Sequence, residues 1–187
     1  MKKSFFNNVG SEFLGGLLAI IVGAIIFFVF NDFVFKPPDL NGRWLMMTHI
    51  EKTKHEPFEG MIVMFEVILQ QDNDQIKGTA EKIAESSKSG AFAYQRSKRV
   101  RADIYGSIDR KYLSKDKVNL HWVEHGKIRD SSSYFRITRF DNAYMSGTFD
   151  TTAGRSKGRS EWVRSVLQID AIGVEKIGGM FAELGLD

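Results

Sequence analysis

The stretch at residues 100–109, VRADIYGSID, decides the fold. Val100, Ala102, Ile104, Gly106 and Ile108 alternate with Arg101, Asp103, Tyr105 and Ser107. Successive side chains of a strand point to opposite faces, so this period of two describes a β-strand with one buried face. Residues 61–71, MIVMFEVILQQ, repeat the pattern with Val63, Phe65, Val67 and Leu69 on one face. Their other face carries Glu66 and Gln70, although Ile62, Met64 and Ile68 make it partly apolar. Further strands are expected at about 43–51, 76–84, 117–124, 133–140, 143–150 and 158–166. Turn residues separate them: Asp72-Asn73-Asp74, Asp141-Asn142, and Gly154 to Gly158.

Eight antiparallel strands with short connections are enough to close a small barrel. Closure leaves no free edge and can enclose one small ligand. A two-sheet sandwich would use the same strands. The one long connection, residues 85–97 (ESSKSGAFAYQRS), is Ser-rich and reads as a loop. In residues 169–187, Ile169, Ile172, Ile177, Met180, Phe181 and Leu184 fit the spacing of a short C-terminal helix, weakened by Gly173, Gly178 and Gly179. The expected class is mainly β: an eight-stranded antiparallel barrel over residues 37–168, after an N-terminal transmembrane anchor over 1–36 and before a helical tail over 169–187.

The anchor rests on residues 13–35, FLGGLLAIIVGAIIFFVFNDFVF, which carry no charge from Phe13 to Phe30. About 20 apolar residues span a bilayer as a helix. A cleaved signal peptide is the competing reading, but the run exceeds a usual h-region and no small-x-small site comes after it. Ser11, Gly15, Ala19 and Gly23 recur every fourth residue, which puts small side chains on one stripe and predicts self-association of the anchor into a homo-oligomer. Lys36, Arg43, Lys52 and Lys54 after the anchor outnumber Lys2 and Lys3 before it, which favours a cytoplasmic barrel. Pro37-Pro38 makes a stiff, extended exit.

The net charge of +3 is compatible with an anionic ligand or an anionic leaflet. The absence of cysteine excludes disulfides and cysteine-based metal or nucleophile sites. Residues 150–162, DTTAGRSKGRSEW, are the densest polar constellation. Hydroxyls of Thr151 and Thr152, exposed backbone near Gly154 and Gly158, and the charges of Arg155, Lys157 and Arg159 are groups that hold phosphate oxygens. A solvated hairpin loop is the plain reading of the same residues. A second basic cluster, Lys88, Arg96, Lys98, Arg99 and Arg101, is interleaved with Phe92 and Tyr94.

LNGRW contains the Gly-x-Trp that opens many lipocalin-like and avidin-like barrels, where the Trp plugs one end. Here that residue is Trp44, and Arg164 on the last strand is its expected neighbour, because closure sets first and last strands side by side. His121 and His125 are four apart on a strand, roughly 14 Å by the strand rise, too far to share an ion. Glu124, beside Trp122, reads as an inward acid. No catalytic residue, metal site or cofactor is expected, nor enzymatic activity.

The anchor, LNGRW, the alternating strands and DTTAGRSKGRSEWVR together resemble the β-barrel membrane effectors of bacterial cyclic-oligonucleotide-based anti-phage signalling systems. That resemblance implies a sensor barrel anchored in the bacterial inner membrane, by two membrane helices in the family and by the single run at 13–35 in this sequence. It implies a cyclic nucleotide ligand held by Thr151, Thr152, Arg155, Arg159, Arg164 and Trp44, and ligand-driven oligomerisation that disrupts the lipid bilayer. No nucleic-acid polymer is expected as a partner. A membrane-tethered scaffold and a lipocalin-like carrier without a nucleotide ligand are the other readings.

Overall fold

The structure, a computed structural model, describes residues 15–29, 39–95, 98–111 and 116–165. Ser11, Pro37-Pro38, Arg96 and the expected C-terminal helix at 169–187 lie outside these residues. The chain divides into two compact units, Met1–Pro37 and Pro38–Asp187.

In the first unit, residues 15–29 form helix α1. At a rise of about 1.5 Å per residue its described length is roughly 22 Å. No described helix is long and apolar enough to cross a membrane. Yet large apolar side chains stand exposed all round α1, with Leu18 at 67%, Ile20 at 71% and Phe28 at 66%. A Cβ added to Gly15 or Gly23 would meet no other atom within 4 Å, so the described part of the small-residue stripe, with Ala19, is open.

The second unit contains nine described strands: β1 (Gly42–Lys52), β2 (Ile62–Asp72), β3 (Gln75–Ser87), β4 (Gly90–Ala93), β5 (Arg101–Asp109), β6 (Lys117–Glu124), β7 (Ser131–Phe140), β8 (Tyr144–Thr151) and β9 (Ser156–Arg164). All pairings are antiparallel. Eight strands close a ring, in the order β1, β2, β3, β5, β6, β7, β8, β9 and back to β1. In the closing pair Trp44 lies opposite Arg164 and Thr48 opposite Ser160. The chain is thus a mainly β, closed eight-stranded antiparallel barrel.

The stretch at 85–97 departs from the expected loop. Its first residues extend β3 to Ser87, and residues 90–93 return as β4, pairing Ala84 with Ala93 and Ser87 with Gly90. β3 therefore serves two partners along one edge: Gln75 to Glu81 bind β5, and Ala84 to Ser87 bind β4. A bulge marks the change. Phe65 pairs with Lys82 and Met64 with Ala84, which leaves Ile83 as the extra residue. An inserted residue reverses the in/out parity of the residues beyond it.

The alternating apolar faces meet inside the ring. Trp44, Trp122 and Trp162 are fully buried there, with Met46, Val67, Ile104 and Ile137. Each tryptophan removes roughly 150–250 Å² from water, about 4–6 kcal/mol gross before ordering costs. The apolar second face of β2 is also used: Ile62 and Met64 cluster with Met47, Ile83 and Ala84 in a smaller buried group on the outer face. Tight curvature depends on strand glycines. A Cβ on Gly158 would sit 1.8 Å from the His49 carbonyl oxygen, and one on Gly106 2.2 Å from that of Asn119, so no side chain fits at either bend.

Candidate ligand site in the barrel mouth

The two ends of the barrel differ. At one end Trp44 is buried and its indole N–H donates to the Leu40 carbonyl at 2.9 Å. The Arg164 guanidinium lies over the indole, 4.7 Å from the ring centroid. Its N–H groups donate to the carbonyls of Asp39, Asn41 and Asn142. Gln71 accepts from the Leu40 N–H at 2.8 Å, and the Gln71 N–H donates to the Asn41 side chain at 2.7 Å. Side chains and entering chain together plug this end.

The opposite end is open to a cavity of about 350 Å³. Its floor is aromatic: Trp122 packs edge-on against Phe65 at 4.9 Å and tilted against Phe135 at 5.5 Å, and Phe135 stacks with Phe149 at 5.6 Å. Hydroxyls of Thr48, Ser131, Ser133 and Thr151 lie on the walls. Lys82, Glu85, Tyr94 and Glu124 supply the ionisable lining.

That quartet depends on the bulge in β3. On a regular strand residues three apart face opposite ways. With Ile83 inserted, Lys82 and Glu85 both line the cavity and pair at 2.7 Å. β4 then delivers Tyr94, whose N–H donates to the Ile83 carbonyl. The Lys82 ammonium sits 5.4 Å from the Tyr94 ring centroid. The Tyr94 hydroxyl is pushed well above its ordinary pKa, first by burial and then by its hydrogen bond to Glu85 and that carboxylate's charge. Glu124 reaches the cavity from the end of β6, as its alternation with Trp122 and Leu120 predicts. Burial raises its pKa; Lys82 opposes the rise and Glu85 adds to it. The cavity thus holds two carboxylates against one ammonium, and that ammonium is already paired.

The structure does not bring the six expected ligand residues together. Thr151 lines the cavity, donating from Oγ1 to the Ser132 carbonyl at 3.2 Å and accepting from the Ala153 N–H at 3.2 Å. Thr152 is exposed, and its hydroxyl oxygen accepts from the Ser132 N–H at 2.9 Å. Arg155 is exposed at a positive φ of 49° that closes the turn after Gly154. Arg159 points outward, because Ser156, Gly158, Ser160 and Trp162 are the buried set of β9, and it pairs with Glu51 at 2.5 Å. Trp44 and Arg164 belong to the plug at the other end.

The second basic cluster is likewise dispersed. Lys88 pairs with Glu59 at 2.8 Å, and Arg99 lies between Glu66 at 3.5 Å and Glu81 at 3.4 Å on the outer face. Tyr94 turns into the cavity, and its partner Phe92, 4.9 Å away, is half exposed. His121 stacks on Tyr134 at 4.7 Å on the outer face, while His125 lies beyond β6 between Asp103 at 3.0 Å and Asp130 at 3.3 Å.

No protein-family model matches the sequence, and no curated protein matches it. Among solved structures, the chain is similar to a redesigned β-barrel at 12% identity and TM-score 0.49, covering 67% of this chain and 91% of that one. It is also similar to the redesigned β-barrel mFAP1 bound to DFHBI, at 12% identity and TM-score 0.46, over 67% of this chain and 94% of that one.

Proposed function

We propose that this chain is a membrane-tethered binding barrel that takes up one compact, largely apolar small molecule through its open mouth. The observation that carries this reading is the cavity of about 350 Å³, floored by Phe65, Trp122, Phe135 and Phe149 and rimmed by a few convergent polar groups. Small-molecule sites have this make-up: a concave apolar body and a small number of placed polar atoms, from roughly 300 Å³ upward. The Trp44–Arg164 plug supports one entrance rather than a through-channel.

The tether is supported by the uncharged run at 13–30 and by the apolar side chains exposed all round α1. A helix apolar on every side is at home in lipid or in a large core. The basic flank after the run favours a barrel on the cytoplasmic side. Self-association through Gly15, Ala19 and Gly23 would bring barrels into pairs or larger sets.

A cyclic-nucleotide sensor that breaches the bilayer is the less favoured reading. Phosphates entering the mouth would meet Glu85 and Glu124, with Lys82 already neutralised. Arg155 and Arg159 offer charge only on the exterior.

The test uses full-length protein in nanodiscs and the neutral apolar dye N-phenyl-1-naphthylamine. The dye should show saturable fluorescence gain that Ser133→Phe, which fills the cavity, removes. Ser132→Phe, its outward neighbour, should leave the gain intact. Equal response of both variants and the parent would overturn the cavity as the binding site.

A further inference from the structure

Resting on that reading, we infer that the ligand is an organic amine, with its cationic head held at Glu124 and its apolar body on the aromatic floor. Three features of the mouth lead there. The first is the placement of Glu124. Its Cα partners across the sheet are Ala102 on β5 and Ser131 on β7, neither of them charged. The titratable groups that face it are Lys82 and Glu85 on β3 and the Tyr94 hydroxyl after β4. No described hydrogen bond or ion pair reaches its carboxylate, although it lies half-buried in the cavity lining.

The second feature is that Lys82 is already engaged. Its ammonium is 2.7 Å from Glu85, so the pair is close to neutral and Glu124, when ionised, has no counter-ion of its own. A half-buried carboxylate without a partner carries part of a desolvation cost, and a cation entering beside it recovers that cost. An incoming carboxylate or phosphate would be repelled by the same group. A neutral ligand would offer it no counter-charge.

The third feature is the aromatic lining. Ammonium groups are attracted to aromatic faces, and the rim already holds one this way, with Lys82 over Tyr94 at 5.4 Å. Tyr94, Trp122 and Phe135 offer such rings around the space next to Glu124. The hydroxyls of Ser131 and Ser133 lie on the strand beside it and can accept the remaining ammonium N–H bonds. An amine head with a flat hydrocarbon body satisfies all three features at once.

Binding must then be linked to protons. Glu124 takes part as the carboxylate, and burial favours its protonated form in the empty cavity. Amine uptake therefore releases protons wherever Glu124 is partly protonated. Affinity rises with pH through the folded pKa of Glu124, until the amine itself loses its proton.

The experiment compares three probes of one shape in full-length protein in nanodiscs. These are 1-naphthylmethylamine, 1-naphthalenemethanol and 1-naphthoic acid, read by displacement of N-phenyl-1-naphthylamine and by calorimetry. The amine should bind roughly tenfold or more tightly than the alcohol, a charge-assisted contact's margin over a neutral one, with the acid weakest. Glu124→Gln should erase the preference for the amine over the alcohol. Calorimetry of the parent as a function of acid pH, in two buffers of different ionisation enthalpy, should show proton release with the amine that fades as Glu124 becomes fully ionised, and none with the alcohol. This readout does not depend on any variant folding. Equal affinity of amine and alcohol, or amine affinity that does not rise with pH through the Glu124 titration, overturns the amine assignment while the cavity stands. Failure of all three probes to displace the dye, with Ser133→Phe indifferent to the dye, overturns the cavity reading itself.

Discussion

Arg164→Ala should unseat the closed end of the barrel. The guanidinium donates to three main-chain carbonyls, of Asp39, Asn41 and Asn142, and covers the Trp44 indole at 4.7 Å. Charged hydrogen bonds are worth about 1.5–3 kcal/mol each when buried, but these carbonyls sit at the barrel end and recover water on truncation, so about 1 kcal/mol apiece is the fair figure. The cation–π contact adds about 0.5–1 kcal/mol. The sum is about 3.5–4 kcal/mol. With a urea m-value of about 2 kcal/mol/M, the midpoint should fall by about 2 M. Tryptophan fluorescence reports the transition, since all three tryptophans are buried. Arg159→Ala is the control: it removes one exposed pair with Glu51, and such pairs contribute about 0.2–1 kcal/mol. Arg164→Lys should recover only part of the loss, because an ammonium cannot reach three carbonyls with a planar fork. An Arg164→Ala midpoint no lower than that of Arg159→Ala would refute the plug.

Gly158→Ala places a Cβ 1.8 Å from the His49 carbonyl oxygen and should cost about 1–3 kcal/mol or more, seen as a lower urea midpoint; a parent-like midpoint would contradict the close β1–β9 approach. The pKa of His125 is raised by its hydrogen bonds to Asp103 and then Asp130. Its stabilisation is therefore fully present below the unfolded pKa of about 6.5 and lost as pH rises through the higher folded value. The thermal midpoint difference between parent and His125→Gln should be open at acid pH and closed above that window; a difference independent of pH would count against it. In the anchor, Gly15→Leu with Gly23→Leu should weaken crosslinked oligomers in membranes, and unchanged bands would leave the barrel as the assembly surface.

The strands were legible because each carries an alternation that one buried face imposes. VRADIYGSID and the 61–71 run fall in β5 and β2 with the expected residues inward. The Trp44–Arg164 neighbourhood came from closure alone. The mouth was less legible, for two physical reasons. The bulge at Ile83 has no glycine or proline to mark it, and without it Lys82 and Glu85 cannot share a face. β4 is four residues long inside a Ser-rich stretch, so AFAY gave too short an alternation to separate from a loop, and Tyr94 went with it. By contrast, the outward direction of Arg159 was present in SKGRSEW, where Gly158, Ser160 and Trp162 alternate with it. Residue type suggested a phosphate site there, and periodicity argued against it. Glu124 shows the converse: its parity with Trp122 and Leu120 was enough to place it inside.

The most direct test of a ligand-binding mouth is chemical-shift mapping of isotope-labelled full-length protein in nanodiscs, titrated with 1-naphthylmethylamine. Shifts should concentrate on Thr48, Val63, Trp122, Ser133 and Thr151, with the Glu124 carboxyl carbon moving toward its ionised position. Shifts confined to Arg155, Lys157 and Arg159 on the exterior, or none at saturating probe, would contradict the account.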